Sequence, residues 1–141
     1  MLKRSLCLIL IVVLLSVTLG VYAENVILEP VQERYSYTNS VYAGLQINGT
    51  TAICEGKGRG IYTYTTTHLL VMLQRKPTSG GSWASVASWT GTASGMGTAL
   101  VSQTTSVSAG YTYRVRVRCQ IKDSDGTVLE TVYQYSHVWT V

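Results

Sequence analysis

Histidine, acidic residues and cysteine are scarce in this 141-residue chain, and phenylalanine is absent. Ser136 and His137 are adjacent, so on a strand their side chains point to opposite faces and do not indicate a nucleophile–base pair. The seven acidic residues show no pairing typical of a glycosidase. No cysteine lies beside a histidine or a second cysteine, which disfavours a metal site or a redox motif. We therefore expect no catalytic residue, no metal and no cofactor, and a protein that is not an enzyme.

A helical apolar period is missing as well, since no window of 12 or more residues keeps a 3.6-residue repeat. Short β-branched and tyrosine-rich runs alternate instead with clusters of Gly, Ser and Asp, which is typical of an all-β sandwich or barrel. We predict seven strands, at residues 41–47, 50–55, 68–75, 83–90, 98–107, 111–121 and 127–139.

Three further features refine this strand prediction. Asn48-Gly49 predicts a tight hairpin between the first two strands. Residues 68–75 are the most hydrophobic run, so we expect a central strand there that is buried on both faces. The glycine-rich stretches 56–60 and 91–97 are expected to be loops, the first of them flexible and basic.

The N-terminus has the pattern of an export signal. Lys3 and Arg4 precede an apolar run at residues 6–19, and Val21 and Ala23 fit the −3 and −1 positions of a cleavage site. An uncleaved membrane anchor is the alternative, although the 14 apolar residues are fewer than the roughly 20 that a spanning helix needs. The pattern therefore predicts a signal peptide at residues 1–23 and a secreted protein.

Cleavage after residue 23 leaves 118 residues, with nine basic and seven acidic side chains. We divide them into a lead-in segment, 24–39, and one sandwich domain, 40–141. A net charge of +2 in an exported chain disfavours nucleic acid as a partner. No segment after residue 23 is apolar enough to predict stable membrane insertion once the signal is removed.

Cys54 and Cys119 are the two cysteines that follow the signal. An even cysteine count in an exported protein predicts a disulfide, and closing a loop of this length contributes about 4 kcal/mol in the chain-entropy model. The second and sixth predicted strands carry these cysteines, and such strands lie in opposite sheets of an immunoglobulin-type sandwich. Two buried free thiols are the alternative, favoured by a reducing compartment.

Several short stretches carry a resemblance to a known group of proteins. They are Gln74-Arg75, Gly81-Ser82-Trp83, Val86-Ala87-Ser88-Trp89, the run VSAGYTYRV at residues 107–115, Glu130 and Tyr135-Ser136. In order and spacing, over residues 36–137, they resemble small secreted bacterial proteins, mostly Gram-positive and of unassigned function, with an immunoglobulin-like or fibronectin type III sandwich. The resemblance implies that fold and an extracellular address, and it transfers no activity. It also implies a tyrosine corner at Tyr111 or Tyr113.

Strict alternation in the sequence YRVRVRC, residues 113–119, divides the sixth strand into two faces. The apolar positions, which include Cys119, are expected to face the core. The outward positions are Arg114, Arg116 and Arg118. Three like charges in one row repel each other, so the chemical character of this face depends on which residues of the neighbouring strand lie opposite them.

The connection between the sixth and seventh strands sets the partners of these arginines. A four-residue loop at 123–126 pairs Arg118 with Thr131, Arg116 with Tyr133 and Arg114 with Tyr135. A two-residue loop at 125–126 shifts every partner by two positions and keeps the same outer face, which His137 and Trp139 would extend. A three-residue loop with a bulge would instead bring Glu130, Val132 and Gln134 opposite the arginines.

The face formed by Arg114, Arg116, Arg118, Tyr133 and Tyr135 has two interpretations. In the first, the arginines lie flat on the tyrosines and shield the sheet, with no ligand involved. In the second, the face binds a ligand, because tyrosine suits the rings of polysaccharides and arginine suits phosphate or carboxylate groups. We predict a non-catalytic surface or matrix interaction module for a glycan, an envelope polymer or another protein. A secreted effector or bacteriocin-like protein is the alternative, and a hydrolase is the third.

Trp83 and Trp89 are six residues apart, which puts them on the same face of a regular strand. We expect at least one of them to anchor the core. If both were exposed, they would form a second aromatic platform.

Overall fold

The computed structural model describes residues 35–141, so the predicted signal and most of the lead-in segment lie outside the described residues. Within this range all regular secondary structure is β-strand, which confirms the all-β prediction. The strands are β1 (Thr38–Asn48), β2 (Thr51–Gly60), β3 (Thr66–Pro77), β4 (Ala84–Ser94), β5 (Thr98–Ser106), β6 (Tyr111–Lys122), β7 (Val128–Tyr135) and β8 (Trp139–Thr140). The seventh predicted strand is divided in two by a break at residues 136–138.

The strands form two antiparallel sheets that pack as a sandwich of the predicted immunoglobulin or fibronectin type III kind. One sheet has the order β1-β2-β5, and the other has the order β4-β3-β6-β7, with β8 also paired to β6. The predicted hairpin joins β1 to β2, where Gly49 has a φ of 60° that favours glycine. β2 and β6 lie in opposite sheets, as predicted.

The core lies between the two sheets and is built from the inward positions of the strands. From Tyr113 to the end of β6 the alternation is strict, and the inward side chains there are at most 1% exposed. They are Tyr113, Val115, Val117, Cys119 and Ile121. The predicted division of β6 into a core face and an outer face is confirmed.

Strand β3 is central, between β4 and β6, as the hydrophobic run predicted. Only one of its faces is buried, however. Leu69, Val71 and Leu73 point into the core, whereas Leu70 and Met72 on the other face are half-buried. The prediction of burial on both faces is wrong, because no further layer of the described residues covers the outer side of this sheet.

The glycine-rich stretch 56–60 is a strand rather than a loop, because its glycines lie at the inward positions of β2. A Cβ added to Gly58 would come within 2.8 Å of both Cys119 Sγ and Leu69 Cδ2, and one added to Gly56 would collide with Val71. Side chains of the opposite sheet therefore occupy the space that β2 leaves empty. Lys57 and Arg59 alternate with these glycines and point outward.

The second predicted loop, 91–97, is also mainly strand. β4 extends to Ser94 and β5 begins at Thr98, so the turn comprises residues 95–97. Gly91 lies close to β5, since a Cβ there would come within 2.9 Å of Val101 Cγ2. In both cases glycine marks close packing between strands instead of a connection.

A tyrosine corner fixes the start of β6, and Tyr113 is the residue that forms it. The Tyr113 hydroxyl accepts a hydrogen bond from the Ser108 backbone N–H at 2.9 Å and lies 3.3 Å from the Ser108 carbonyl, to which it donates. Of the two tyrosines that the resemblance offered, Tyr113 is buried and Tyr111 is half-buried. This hydrogen-bonded tyrosine ties the loop that follows β5 to the core.

The predicted Cys54–Cys119 disulfide is corrected by the structure, in which both residues are buried free thiols. Cys119 lies over Gly58, and Cys54 is four residues earlier on β2. Four strand residues span about 13 Å, whereas bridged cysteines have Cα atoms about 4.4–6.8 Å apart. Burial raises the pKa of each thiol to about 11, with the Glu130 carboxylate adding to the effect at Cys119.

Candidate binding face

The outer face of the β4-β3-β6-β7 sheet carries the residues that the sequence singled out. All three arginines of β6 point to this side and are half-buried, and Tyr133 and Tyr135 of β7 lie beside them, 45% and 44% exposed. Together with one further aromatic residue, the group forms a continuous surface that we call the basic aromatic face. Its members are Trp83, Arg114, Arg116, Arg118, Tyr133 and Tyr135.

The register between β6 and β7 keeps the predicted parity and is shifted by two positions. Arg116 lies opposite Tyr135 and Arg118 opposite Tyr133, as expected for the two-residue loop. The connection is longer than two residues, because the Asp123 N–H donates to the Thr127 carbonyl. An irregularity in the pairing of β6 with β7 near Lys122 then gives the register expected for a two-residue loop. The same residues therefore share the face, although their direct partners differ from those of a four-residue loop.

Contacts between the arginines and the tyrosines run diagonally across the two strands. The Arg116 guanidinium lies 4.5 Å from the centre of the Tyr133 ring, and that of Arg114 lies 4.5 Å from the centre of the Tyr135 ring. These are the two predicted arginine–tyrosine pairs, made by side chains that lean along the strands. Such a cation–π contact contributes about 0.5–1 kcal/mol at an exposed site.

Arg114 is held on three sides. Its guanidinium lies between two rings, 4.2 Å from the centre of Trp83 and 4.5 Å from that of Tyr135. Its Nε donates a hydrogen bond of 3.0 Å to Gln74 Oε1 on β3. Arg114 is therefore fixed in place before any ligand arrives.

Arg116 is held less completely than Arg114. Its guanidinium stacks on Tyr133, but its Nε is buried and has no hydrogen-bond partner within residues 35–141. A buried N–H without an acceptor is unfavourable, so the stacking on Tyr133 is offset in part by this unsatisfied donor.

Trp83 is the member of the face that the sequence prediction missed. A bulge in β4 pairs Ala87 with Leu73 but Ser85 with Gln74, leaving Val86 as an extra residue. The bulge reverses the parity, so Trp83 lies against Arg114 on the outside, whereas Trp89 packs against the core. The expectation of one core tryptophan is confirmed, and the expectation of a shared face fails because the strand is irregular.

Trp139 is absent from the face, contrary to the prediction. After the break at residues 136–138, Trp139 pairs with Tyr113, and its Nε1 donates to the Leu45 carbonyl of the other sheet at 3.1 Å. Ser136 fills the break, since its Oγ accepts the Val115 N–H at 2.8 Å. The break thus turns the end of the chain toward β1.

No carboxylate neutralises the arginines of the face among the described residues. The single ion pair there joins Lys57 to Glu55, at 2.6 Å, on the opposite sheet. Asp123 accepts the backbone N–H groups of its own turn. The charges of Arg114 and Arg116 are therefore stabilised by aromatic rings instead of by an acid.

Glu130 is likewise engaged away from the arginines. Its carboxylate accepts the Thr38 hydroxyl at 2.6 Å and the backbone N–H groups of Ser36 and Tyr37 at 2.8 and 3.1 Å. Partial burial opposes its ionisation, but these hydrogen bonds outweigh that effect and hold the pKa of Glu130 below its ordinary value. Glu130 thus anchors the start of β1 and leaves the face without an acid.

Arg118 is the arginine without a ring. It lines a groove of about 290 Å³ between β4, β3 and β6, at the opposite end of the face from Trp83. His68 and Lys122 line the same groove. The polar groups of the face therefore differ along its length, with stacked cations at one end and open cations at the other.

Other kinds of site find no support in residues 35–141. No group of three or more His, Cys, Asp or Glu side chains there could hold a metal ion. None of these residues belongs to a helix long and apolar enough to cross a membrane. No protein-family model matches the chain, and a search of curated proteins gives no match.

Proposed function

We propose that this chain is a secreted, non-catalytic binding module that holds an extracellular glycan or envelope polymer on its basic aromatic face. The observation that carries the proposal is the row of arginine planes stacked on half-exposed rings, with no carboxylate to neutralise them. Export through residues 1–23 and kinship with small secreted bacterial sandwich proteins belong to the same proposal.

The geometry of the face suits a sugar polymer. Tyr133 and Tyr135 expose nearly half of their surface and lie on one strand at alternate positions, about 7 Å apart. Ring faces contact the apolar sides of sugars, and guanidinium N–H groups donate to hydroxyl, carboxylate or phosphate oxygens. Because Arg114 is already clamped between two rings, binding costs little side-chain entropy there.

The competing interpretation is that the stacked arginines only shield the sheet. Both interpretations predict that loss of Arg114 and Arg116 weakens the fold, since each guanidinium packs on a ring. Only the binding interpretation predicts that a ligand is lost as well. Stability and binding must therefore be measured on the same variants.

The test is a screen of the protein, purified after export, on an array of glycans and bacterial envelope polymers. The variant is Arg114→Ser with Arg116→Ser, and the matched control is Lys57→Ser with Arg59→Ser, which removes equal charge from the other sheet. We expect the parent and the control to bind the same polymers and the arginine variant to lose them by about tenfold or more. Parent binding that survives the loss of Arg114 and Arg116 would refute the face as the site, and an array without any binding would refute the function.

A further inference from the structure

Six of the nine residues that line the groove at the far end of the basic aromatic face are polar or charged. Its wall on β6 comes from Arg118, Gln120 and Lys122, and its floor includes His68 and Leu70 of β3. Two of these side chains are permanently charged at neutral pH, and both are half-buried. The groove, which is about 290 Å³ in volume, is therefore lined by two cations.

The two cations differ from all three of their stacked neighbours in having no partner. Within the described residues, neither Arg118 nor Lys122 forms an ion pair or a side-chain hydrogen bond or lies over a ring. Arg114, Arg116 and Lys76 all lie over aromatic rings. Arg118 and Lys122 are thus the charges of this face that are free to receive an anion.

His68 contributes hydrogen bonding to the groove instead of charge. Partial burial, and then the nearby charge of Lys122, hold the pKa of His68 below its ordinary value. Its Nε2 lies 3.1 Å from the Thr66 hydroxyl, which fixes the ring against β3. At neutral pH the groove therefore contains a neutral imidazole between the strand that carries Arg118 and the hydroxyls of β4.

The groove adjoins the stacking surface directly. Arg118 pairs with Tyr133 on one side and with Leu70 on the other, so one side chain separates an exposed ring from the groove. Neighbouring strands are about 4.8 Å apart, which places the ring and the groove within the span of two sugar units. A single polymer can therefore reach both.

We propose that the groove is an anion subsite, and that the polymer held by this face is an acidic glycan. A sugar ring lies on Tyr133 and Tyr135, and the phosphate or carboxylate group attached to it enters the groove between Arg118 and Lys122. This inference rests on the proposed function and adds the chemical class of the ligand. Neutral glycans would contact only the stacking half of the face.

The experiment compares three soluble polymers of matched length: a neutral glucan, a polyuronate and a polymer of sugar phosphates. Binding of each to the exported protein is measured by calorimetry at two salt concentrations. The variants are Arg118→Gln, Lys122→Gln and the pair together, with Arg59→Gln on the other sheet as the control. Unfolding midpoints show whether each variant keeps the parent fold, which we expect because Arg118 and Lys122 have no partner to lose.

We expect the parent to bind one or both acidic polymers at least about tenfold more tightly than the glucan, and more weakly as salt rises. The double variant should lose this preference and keep its affinity for the glucan, and the control should behave as the parent. The polyuronate and sugar-phosphate arms decide whether carboxylate or phosphate is the natural group.

Two outcomes would overturn the subsite while leaving the binding function intact. One is equal affinity of the parent for neutral and acidic polymers, and the other is an acidic preference that the double variant retains. Absence of binding to all three polymers and to the wider array would overturn the subsite together with the proposed function.

Discussion

Strands β2 and β6 cross the middle of opposite sheets, and both alternate cations on the outside with other residues on the inside. On β2 the sequence is GKGRG, and on β6 it is YRVRVRC. The inward residues of the GKGRG stretch of β2 are glycines, whereas those of the YRVRVRC stretch of β6 are larger and mainly apolar. The two strands are complementary, since Cys119 of β6 lies over Gly58 of β2 and Val117 lies over Gly56.

The outward residues of the two strands differ as much as the inward ones. Lys57 has a carboxylate partner in Glu55, and Arg59 Nε donates to the Met96 carbonyl at 2.8 Å. On β6, Arg114 and Arg116 lie over aromatic rings, and Arg114 also donates to Gln74. Arg118 lines the groove. The outward cations of β2 are therefore engaged by a carboxylate and a backbone carbonyl, whereas those of β6 have no acidic partner among the described residues.

The largest effect is expected where the two strands meet. Gly58→Ala places a methyl group within 2.8 Å of Cys119 Sγ, so we expect the free energy of unfolding to fall by about 2–3 kcal/mol. Adding Cys119→Ala should recover part of this loss, because it removes one of the colliding atoms. Urea unfolding of the parent, both single variants and the double variant measures the coupling. Strictly additive costs would show that the strands do not touch there, and Lys57→Ala, on the outer side of β2, is expected to leave the stability nearly unchanged.

An intermediate effect is expected on the outer sides. Arg114→Ser with Arg116→Ser removes three ring contacts, and we expect it to lower the free energy of unfolding by about 1–2 kcal/mol. The matched pair on β2, Lys57→Ser with Arg59→Ser, should cost clearly less, since its ion pair is exposed. Chemical denaturation of both proteins decides the matter, and equal losses would remove the distinction between the two outer faces.

The smallest effect concerns the cysteines of the two strands, for which we expect no change in thermal stability on reduction. Because Cys54 and Cys119 are free, a reducing agent should leave the thermal midpoint unchanged. Thiol reagents should label the folded protein slowly, since burial raises both pKa values to about 11. In the protein prepared without residues 1–23, which contain Cys7, they should label two thiols after denaturation without reductant. Fewer than two thiols in that assay would restore the disulfide.

The pattern of β6 could be predicted from sequence because its inward residues are large and strictly alternate. The parity of the Arg–Tyr face followed from the same alternation and held through a change of loop length. The first half of β2 was predicted as the strand at 50–55, but its second half was missed, since Gly56, Gly58 and Gly60 resemble a loop when read alone. Their role depends on Val71, Leu69 and Cys119, which are distant in sequence.

The site was predicted incompletely for a related reason. Trp83 joins the face through a bulge, and a bulge leaves no mark in apolar periodicity. The groove of Arg118 and Lys122 depends on the approach of β4 to β3, which the sequence does not specify. The predicted disulfide relied on cysteine count and strand order, and neither quantity contains the offset of four residues along β2.

The bulge at Val86 makes the chemistry of this surface depend on a count of residues as well as on their identity. Trp83 and Trp89 are six residues apart, so a strand without the bulge would put both indoles on the same side of β4 and leave Arg114 with one ring in place of two. The bulge, and not the identity of any residue of the face, therefore decides that Trp83 lies against Arg114. Chains of the same composition but different spacing here would be expected to present different surfaces to their surroundings.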